Sequence, residues 1–373
     1  MTTTPPTDND RRHMRAALTL ARRGLGNVWP NPAVGCVLVR EDLNDRIVGR
    51  GWTQPGGRPH AETEALRLAG DLAAGATAYV TLEPCNHTGE TGPCTEALIA
   101  AGVARVIVAA VDPDRRVAGT GLTRLSDAGI ATQQGLFEAE ARTLNQGYFN
   151  RVGLQRPFIT MKLATTLDGR IASRTGHSQW ITGPLARQRG HLLRASHDAI
   201  LTGIGTVLAD DPSLTCRLDG LSEQSPVRVV LDSQCRMPGD STMVKTAHEV
   251  AVWRYCTTLA DQGFSSQGIV EKAVGADKTG RVDIAVVLGD LAEHGITRLL
   301  VEAGPAVSAS FLGSGLVDAI AWFRAPSVMG SDGRAVAESI GVDDLADMAA
   351  FHLQKTYALA DDTLEIYTRP DDA

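Results

Sequence analysis

One histidine, one glutamate and two cysteines carry the strongest chemical signal in the chain. Pro59-His60-Ala61-Glu62 stands at the start of an expected helix, Glu83-Pro84-Cys85 ends an expected strand, and Pro93-Cys94 opens the next helix. An imidazole and two thiolates make a three-ligand set for zinc, and a fourth position left to water makes such a site catalytic by geometry. Zinc lowers the pKa of its water from ~15.7 to about 7. Cys94, in a first helical turn, has the positive end of the helix dipole beside its thiolate. Glu62 lies two residues from His60. It can reach the bound water without being a ligand, which suits a general acid/base. The order His-x-Glu…Pro-Cys matches the zinc-deaminase signature, with one departure: eight residues separate Cys85 from Cys94, not two.

The chain that must position these groups has 373 residues, of which 43% are hydrophobic and 21% charged. That length predicts two or three domains, and the composition excludes a wholly disordered protein. Lys+Arg 36 against Asp+Glu 43 gives 36 − 43 = −7, which argues against a nucleic-acid partner. No apolar run approaches the ~18 residues of a membrane span. The polar start lacks a secretory pattern, so a cytoplasmic protein is expected. The other four cysteines, Cys36, Cys216, Cys235 and Cys256, read as small hydrophobes; six cysteines in this length make no disulfide framework.

Periodicity predicts a helix over 12–23, after a frayed polar start, then a strand hairpin (33–40 and 47–52) and a helix over 61–69. Strands follow at 76–82 and 105–111, flanking a helix at 93–101 with Pro93 at its first position. This order predicts a three-layer α/β/α sheet. A helix over 137–150 leads to a seam near 150–156, dividing a first domain, 10–150, from a second, 157–373. The second alternates again: strands at 157–164, 198–203, 227–232, 250–254, 298–302, 320–325 and 364–368, with a small-residue helix from Pro305 to Leu312. Residues 257–283 read as a variable connection. The fold class expected is α/β throughout.

The long loop from Cys85 to Cys94 resembles that of the deaminase domain in the bifunctional riboflavin-biosynthesis family, the diaminohydroxyphosphoribosylaminopyrimidine deaminase/reductases. Asn31-Pro32-Ala33-Val34-Gly35, Thr81-Leu82-Glu83-Pro84-Cys85, and Asp112-Pro113 followed by Gly119-Thr120-Gly121 match it as well. The resemblance implies a cytidine-deaminase-like domain in which Asn31 and His87 contact the pyrimidine and Asp112 borders the pocket. Two positions depart from it. Glu90 stands where the family usually has Lys or Arg, and Asp114 where it usually has Asn. A carboxylate at 90 repels a substrate phosphate, so Arg115 or Arg116 is expected to supply the missing charge.

After residue 157 no metal pattern appears, and no G-x-G-x-x-G follows the first strand, so a Rossmann reading fails. Val301-Glu302-Ala303-Gly304-Pro305 places small residues between a strand and a helix, where backbone can approach a pyrophosphate. Together with Lys162-Leu-Ala-Thr-Thr-Leu-Asp168-Gly169-Arg170, Ser178-Gln-Trp-Ile-Thr182 and Thr206-Val-Leu-Ala-Asp-Asp-Pro212, these residues are similar to the reductase half of the same family, whose fold resembles dihydrofolate reductase. By that resemblance Ala164, Trp180, Thr206, Asp210, Ser233 and the run Gly304, Pro305, Ala306, Val307, Ser308, Ala309 and Ser310 line an NADPH site. Lys162, Ser178, Arg194, Leu214, Arg217 and Glu302 contact the substrate. Chemically, two arginines can grip a phosphate, and Glu302 can accept from sugar hydroxyls.

The expected protein is a two-step enzyme using Zn2+ and NADPH on a small phosphoribosylated pyrimidine, and the resemblance implies a homodimer formed through the reductase half. Two other readings are a nucleoside- or tRNA-type deaminase with an unrelated binding domain, and a non-catalytic zinc module. Acidic net charge and the long cysteine spacing disfavour the first, and the intact Glu62 disfavours the second.

Overall fold

The computed structural model describes residues 5–89, 92–114, 118–259 and 264–370. The chain divides into two compact units, Met1–Gln155 and Arg156–Ala373.

The first unit begins with α1 (Asp8–Ala21), four residues earlier than its apolar periodicity suggests. Thr7 and Asp10 form a reciprocal capping box, satisfying N–H groups that a helix start leaves orphaned. So Asp8 to Arg12 are helical, not frayed. Asp10 is buried and also accepts from Tyr79 Oη at 2.9 Å and Arg105 Nη1 at 3.0 Å. Next come β1 (Gly35–Arg40), β2 (Arg46–Trp52), α2 (Ala61–Ala69), β3 (Thr77–Leu82), α3 (Cys94–Ala100), β4 (Arg105–Ala110), α4 (Thr120–Asp127) and β5 (Ala131–Gln134). Pro93 precedes α3 as its cap residue, one place before its expected position. The five strands form one sheet in the order β2-β1-β3-β4-β5, antiparallel on the β2 side of β3 and parallel beyond it.

Glycines show how the layers close. A Cβ on Gly35 would lie 2.0 Å from the carbonyl of Ala17 on α1, and one on Gly51 would lie 2.0 Å from that of Ala61 on α2. Gly51 pairs with Cys36, and neighbours along a strand point to opposite faces. Hence α1 and α2 cover opposite faces, and the unit is a three-layer α/β/α sandwich. Its core includes Leu38, Val80, Leu98 and Ile107, all fully buried. Truncating such a residue to alanine costs about 2–5 kcal/mol. The helix expected over 137–150 is two helices, α5 (Glu138–Leu144) and α6 (Gln146–Leu154). The break falls at Asn145, whose buried amide accepts from Ala33 N and donates to Ala33 O.

In the second unit the chain order is β6 (Phe158–Thr166), β7 (Arg170–Ala172), α7 (Pro184–Ala195), β8 (Ala199–Gly203), α8 (Ile204–Asp210), β9 (Val227–Leu231), α9 (Thr242–Lys245), β10 (Val252–Cys256) and β11 (Ile269–Ala273). It continues with α10 (Ile284–Glu293), β12 (Arg298–Val301), α11 (Pro305–Gly313), β13 (Ala319–Ala325), β14 (Arg334–Ala335), β15 (His352–Leu359) and β16 (Asp362–Thr368). Nine strands form one sheet, β11-β10-β9-β8-β12-β6-β13-β16-β15. Seven are mutually parallel; β16 pairs antiparallel with β13, and β15 antiparallel with β16. Residues 257–283, expected to be connection only, include the edge strand β11. The chain steps outward from β6, then returns to place β12 beside it. In open parallel sheets ligands bind beyond the carboxyl ends of the strands near such a reversal.

Candidate functional site

Three elements of the first unit each deliver one sulfur or nitrogen to a common point. His60 is the residue immediately before α2, Cys85 lies three residues past β3, and Cys94 is the first residue of α3. Their ligand atoms all lie within 4.8 Å of one another. His60 Nδ1 is 3.3 Å from Cys94 Sγ and 3.7 Å from Cys85 Sγ. Tetrahedral zinc with ordinary Zn–S and Zn–N bonds needs N···S separations of about 3.6 Å, so the donors fit that ion. The electrostatics agree. Cys85 accepts from the Cys94 thiol, and this with His60 and the Cys94 backbone N–H pulls it down to about 4. The Cys85 contact and burial push Cys94 up, and Glu62 adds negative charge nearby. Two sulfurs and a carboxylate packed this tightly call for a multivalent cation.

Glu62 is 3% exposed, on the first turn of α2. Burial raises its carboxyl to about 7, against the lowering effect of His60. A group with that value can both take and release a proton near neutrality.

Around this cluster, Asn31 Nδ2 donates to the Gly57 carbonyl at 3.1 Å, one turn of chain before His60. His87 is exposed beyond Cys85. Asp112, just past β4, is 6% exposed; its Oδ1 accepts from Asp114 N at 2.8 Å and from Tyr148 Oη at 3.2 Å. Burial raises Asp112 to about 6, and the charge of Asp114 adds to that rise, an effect an asparagine there would not have. Glu90, Arg115 and Arg116 lie outside the described residues. Sequence reasoning missed Glu83 and Tyr148. Glu83 is a buried carboxylate whose four accepted bonds all come from backbone N–H groups. A charged residue at the end of a fully buried strand was the available signal.

In the second unit, Val301 pairs with Met161, which sets Glu302 level with Lys162. Glu302 Oε1 accepts from Arg194 Nε at 2.9 Å, and Oε2 from Arg194 Nη2 at 3.0 Å and Lys162 Nζ at 3.3 Å. Burial alone would raise this carboxyl; Arg194 and Lys162 hold it far below the usual range instead. Both oxygens are therefore already engaged, which the sequence reading of Glu302 as an acceptor for sugar hydroxyls did not foresee. Arg194 Nη1 also donates to Thr215 O at 3.0 Å, so three of its five N–H donors are committed. Arg217 is exposed, its backbone N–H donating to His191 Nδ1 on α7. Of the two arginines expected to pair, Arg194 is thus held by Glu302 and Thr215, while Arg217 is exposed. Leu214, buried with φ 53°, backs the same segment.

Gly304 precedes α11 and Pro305 is its first residue, with Ala306, Val307, Ser308, Ala309 and Ser310 in its first two turns. A Cβ on Gly304 would be 3.9 Å from Thr206 Oγ1, so the starts of α8 and α11 converge. The hydroxyls of Ser308 and Ser310 turn back to Ala303 O and Ala306 O. Ser233 follows β9, two strands from β12, and its Oγ accepts from Val282 N. Ala164 lies on β6, two residues beyond Lys162. Trp180 is 66% exposed, with the Arg187 guanidinium 4.7 Å over its ring, and Ser178 is half-buried two residues earlier. Asp210 is exposed at the end of α8.

A family model described as the RibD C-terminal domain matches residues 157–364, and one described as the cytidine and deoxycytidylate deaminase zinc-binding region matches residues 7–110. The riboflavin biosynthesis protein RibD of Escherichia coli is 42% identical over 366 residues, covering 93% of this chain and 95% of the relative. That of Aquifex aeolicus is 38% identical, covering 96% and 98%. Among solved structures, Acinetobacter baumannii RibD superposes with a TM-score of 0.88 at 37% identity, covering 97% of this chain and 99% of that one. A Thermotoga maritima diaminohydroxyphosphoribosylaminopyrimidine deaminase/5-amino-6-(5-phosphoribosylamino)uracil reductase gives 0.84 at 32% identity, with the same two coverages.

Proposed function

The chain belongs to the riboflavin biosynthesis protein RibD family, and from that membership we propose that its two compact units divide the family's two reactions between them. It is a bifunctional deaminase and reductase of riboflavin biosynthesis that uses zinc and NADPH. The deaminase is assigned to residues 10–150 and the reductase to 157–373. The observation that carries the assignment is the convergence of His60, Cys85 and Cys94 with the buried Glu62 inside the first unit.

His60, Cys85 and Cys94 would hold the zinc, which supplies Lewis acidity and an activated water. Glu62 takes the proton of the attacking water and hands it to the departing ammonia. Its burial keeps the carboxyl near neutrality's balance point, so both transfers are available to it. Asn31, His87 and Asp112 orient the aminopyrimidine.

In the second unit NADPH, when bound, would supply the hydride for reduction of the ribosyl group to ribityl. The starts of α8 and α11, where Thr206 and Gly304 approach each other, would hold the cofactor, their unpaired backbone N–H groups suiting its phosphates. Ala164, Trp180, Asp210 and Ser233 complete that cofactor surface. Lys162, Arg194 and Glu302 form a rigid charged floor; Lys162 faces the sugar, while Ser178, Leu214 and Arg217 place the rest of the substrate. No protein nucleophile is required, so positioning and electrostatics carry the rate.

The proposed working form is a homodimer in the cytoplasm, acting on a phosphoribosylated diaminopyrimidinone. Sedimentation at twice 39.5 kDa would support the dimer, and a single-chain mass would dismiss it. The decisive assay supplies the deaminase substrate with and without NADPH and follows ammonia and NADPH absorbance together. Ammonia should appear in both cases, and NADPH should be consumed only after it. NADPH consumption without ammonia release would overturn the reading.

A further inference from the structure

Glu83 is a buried carboxylate, 3% exposed, one residue past β3 and two before the ligand Cys85. Its Oε2 accepts from Gly119 N at 2.9 Å and from Asp112 N at 3.4 Å. Its Oε1 accepts from Gly121 N at 2.9 Å and Leu122 N at 3.1 Å. One side chain therefore joins both ends of the connection between β4 and α4. The helix has no cap of its own, because its cap residue is Gly119, which carries no side-chain acceptor. A carboxylate at a helix N-terminus is favoured by the dipole and by the orphan N–H groups there.

The fit is tight from the other side as well. A Cβ on Gly121 would fall 2.2 Å from Pro84 O and 3.1 Å from Glu83 Oε1, so the helix start lies directly against the backbone that leads into Cys85. Cys85 O in turn accepts from Thr95 N on α3. We propose that Glu83 is a positioning residue of the deaminase, a remote cap that clamps the Asp112–Leu122 connection to the strand end carrying Cys85. By this clamp Asp112, which Glu83 holds through its backbone N–H and Tyr148 through its carboxylate, keeps a fixed distance from the metal ligands. This rests on the assignment of Asp112 to the substrate pocket.

The test uses the full-length zinc-loaded enzyme and two variants, Glu83→Gln and Gly121→Ala. Glutamine keeps the size but turns an NH2 toward backbone N–H groups that need acceptors. Expected in both are faster amide exchange at 119–122, a KM for the deaminase substrate raised tenfold or more, a kcat within about threefold, full zinc content and unchanged reductase constants. Full zinc content and the retained kcat report that the first unit has folded; the reductase constants report the same for the second. Unaltered amide exchange in Glu83→Gln overturns the clamp. Zinc loss in step with lost turnover also overturns it, because the residue would then serve only the metal cage. Asp112→Ala, measured alongside, separates the two readings. If its KM is unchanged, the Asp112 assignment falls while amide exchange still decides the clamp. If it rises and Glu83→Gln does not follow, the proposal falls.

Discussion

Replacing Arg194 by methionine removes the main reason why Glu302 can stay ionised inside the second unit. The guanidinium meets the carboxylate with two N–H bonds of 2.9 and 3.0 Å, and the Glu302 side chain is only 10% exposed. With the arginine gone, Lys162 at 3.3 Å is left alone against burial. Breaking one side of a buried pair costs about 3–5 kcal/mol. For a unit of 218 residues (373 − 155), each kcal/mol is worth about 2–4 °C, so the melting temperature of that unit should fall by about 6–20 °C. The pH dependence gives a sharper test. In the native protein Glu302 titrates well below an unfolded glutamate, so its stabilising contribution is present above about pH 4.3 and is lost only as pH falls through the lower, folded value. In Arg194→Met burial wins and the folded value lies above the unfolded one. The penalty is then full at high pH and shrinks as the carboxyl protonates. Calorimetry from about pH 8 down to about pH 5 should show the gap between variant and native protein closing, with ammonia release equal to the native protein's at each pH. A gap that is constant with pH, or smaller than about 2 °C, would refute the view of Glu302 as a charge restrained by its neighbours.

Three further outcomes are expected. Glu62→Gln should retain zinc by metal analysis and lose ammonia release; surviving turnover would dismiss Glu62 as the proton carrier. Arg217→Ala should slow NADPH oxidation by about 10- to 150-fold, the loss of one charged hydrogen bond, while deamination proceeds; normal oxidation would remove Arg217 from the substrate site. His197 is fully enclosed, its ring nitrogens on Leu193 O and Thr160 Oγ1, and burial pushes it down to about 3. The unfolded chain binds a proton there below about pH 6.5 that the folded one refuses, so stability falls by about 1.4 kcal/mol per pH unit on the acid side. His197→Gln should flatten that limb in acid denaturation, and an unchanged slope would contradict the assignment.

Much of this was legible from the residues because it depends on local pattern. His60, Glu62, Cys85 and Cys94 sit at element ends that periodicity marks, and α2 begins and ends where the apolar spacing places it. What escaped depends on distant partners or on edges. Asn145 breaks a helix because Ala33, 112 positions away, engages both ends of its amide. Glu302 is committed to Lys162 and Arg194, 140 and 108 positions away. Among the described residues β11 pairs with β10 alone, and its burial runs from buried Ile269 through exposed Val270 and half-buried Glu271 and Lys272 to exposed Ala273, so it shows no period of two for a sequence reader to find. The start of α1 was hidden by a capping box built on aspartate, among polar residues that resemble a tail.

The three ligands stand past the end of β3 and at the starts of α2 and α3, and Cys85 is tied directly to the start of α3, its Sγ accepting from Cys94 N and its carbonyl from Thr95 N. The stretch between Cys85 and Cys94 is eight residues long where the common signature allows two. Two doublings of loop length cost only about 1.2 kcal/mol in closure entropy. Added length in this connection therefore costs little stability. A lineage, or a designer, can lengthen or rewrite it to meet a new substrate while the sheet and helices keep the metal in place.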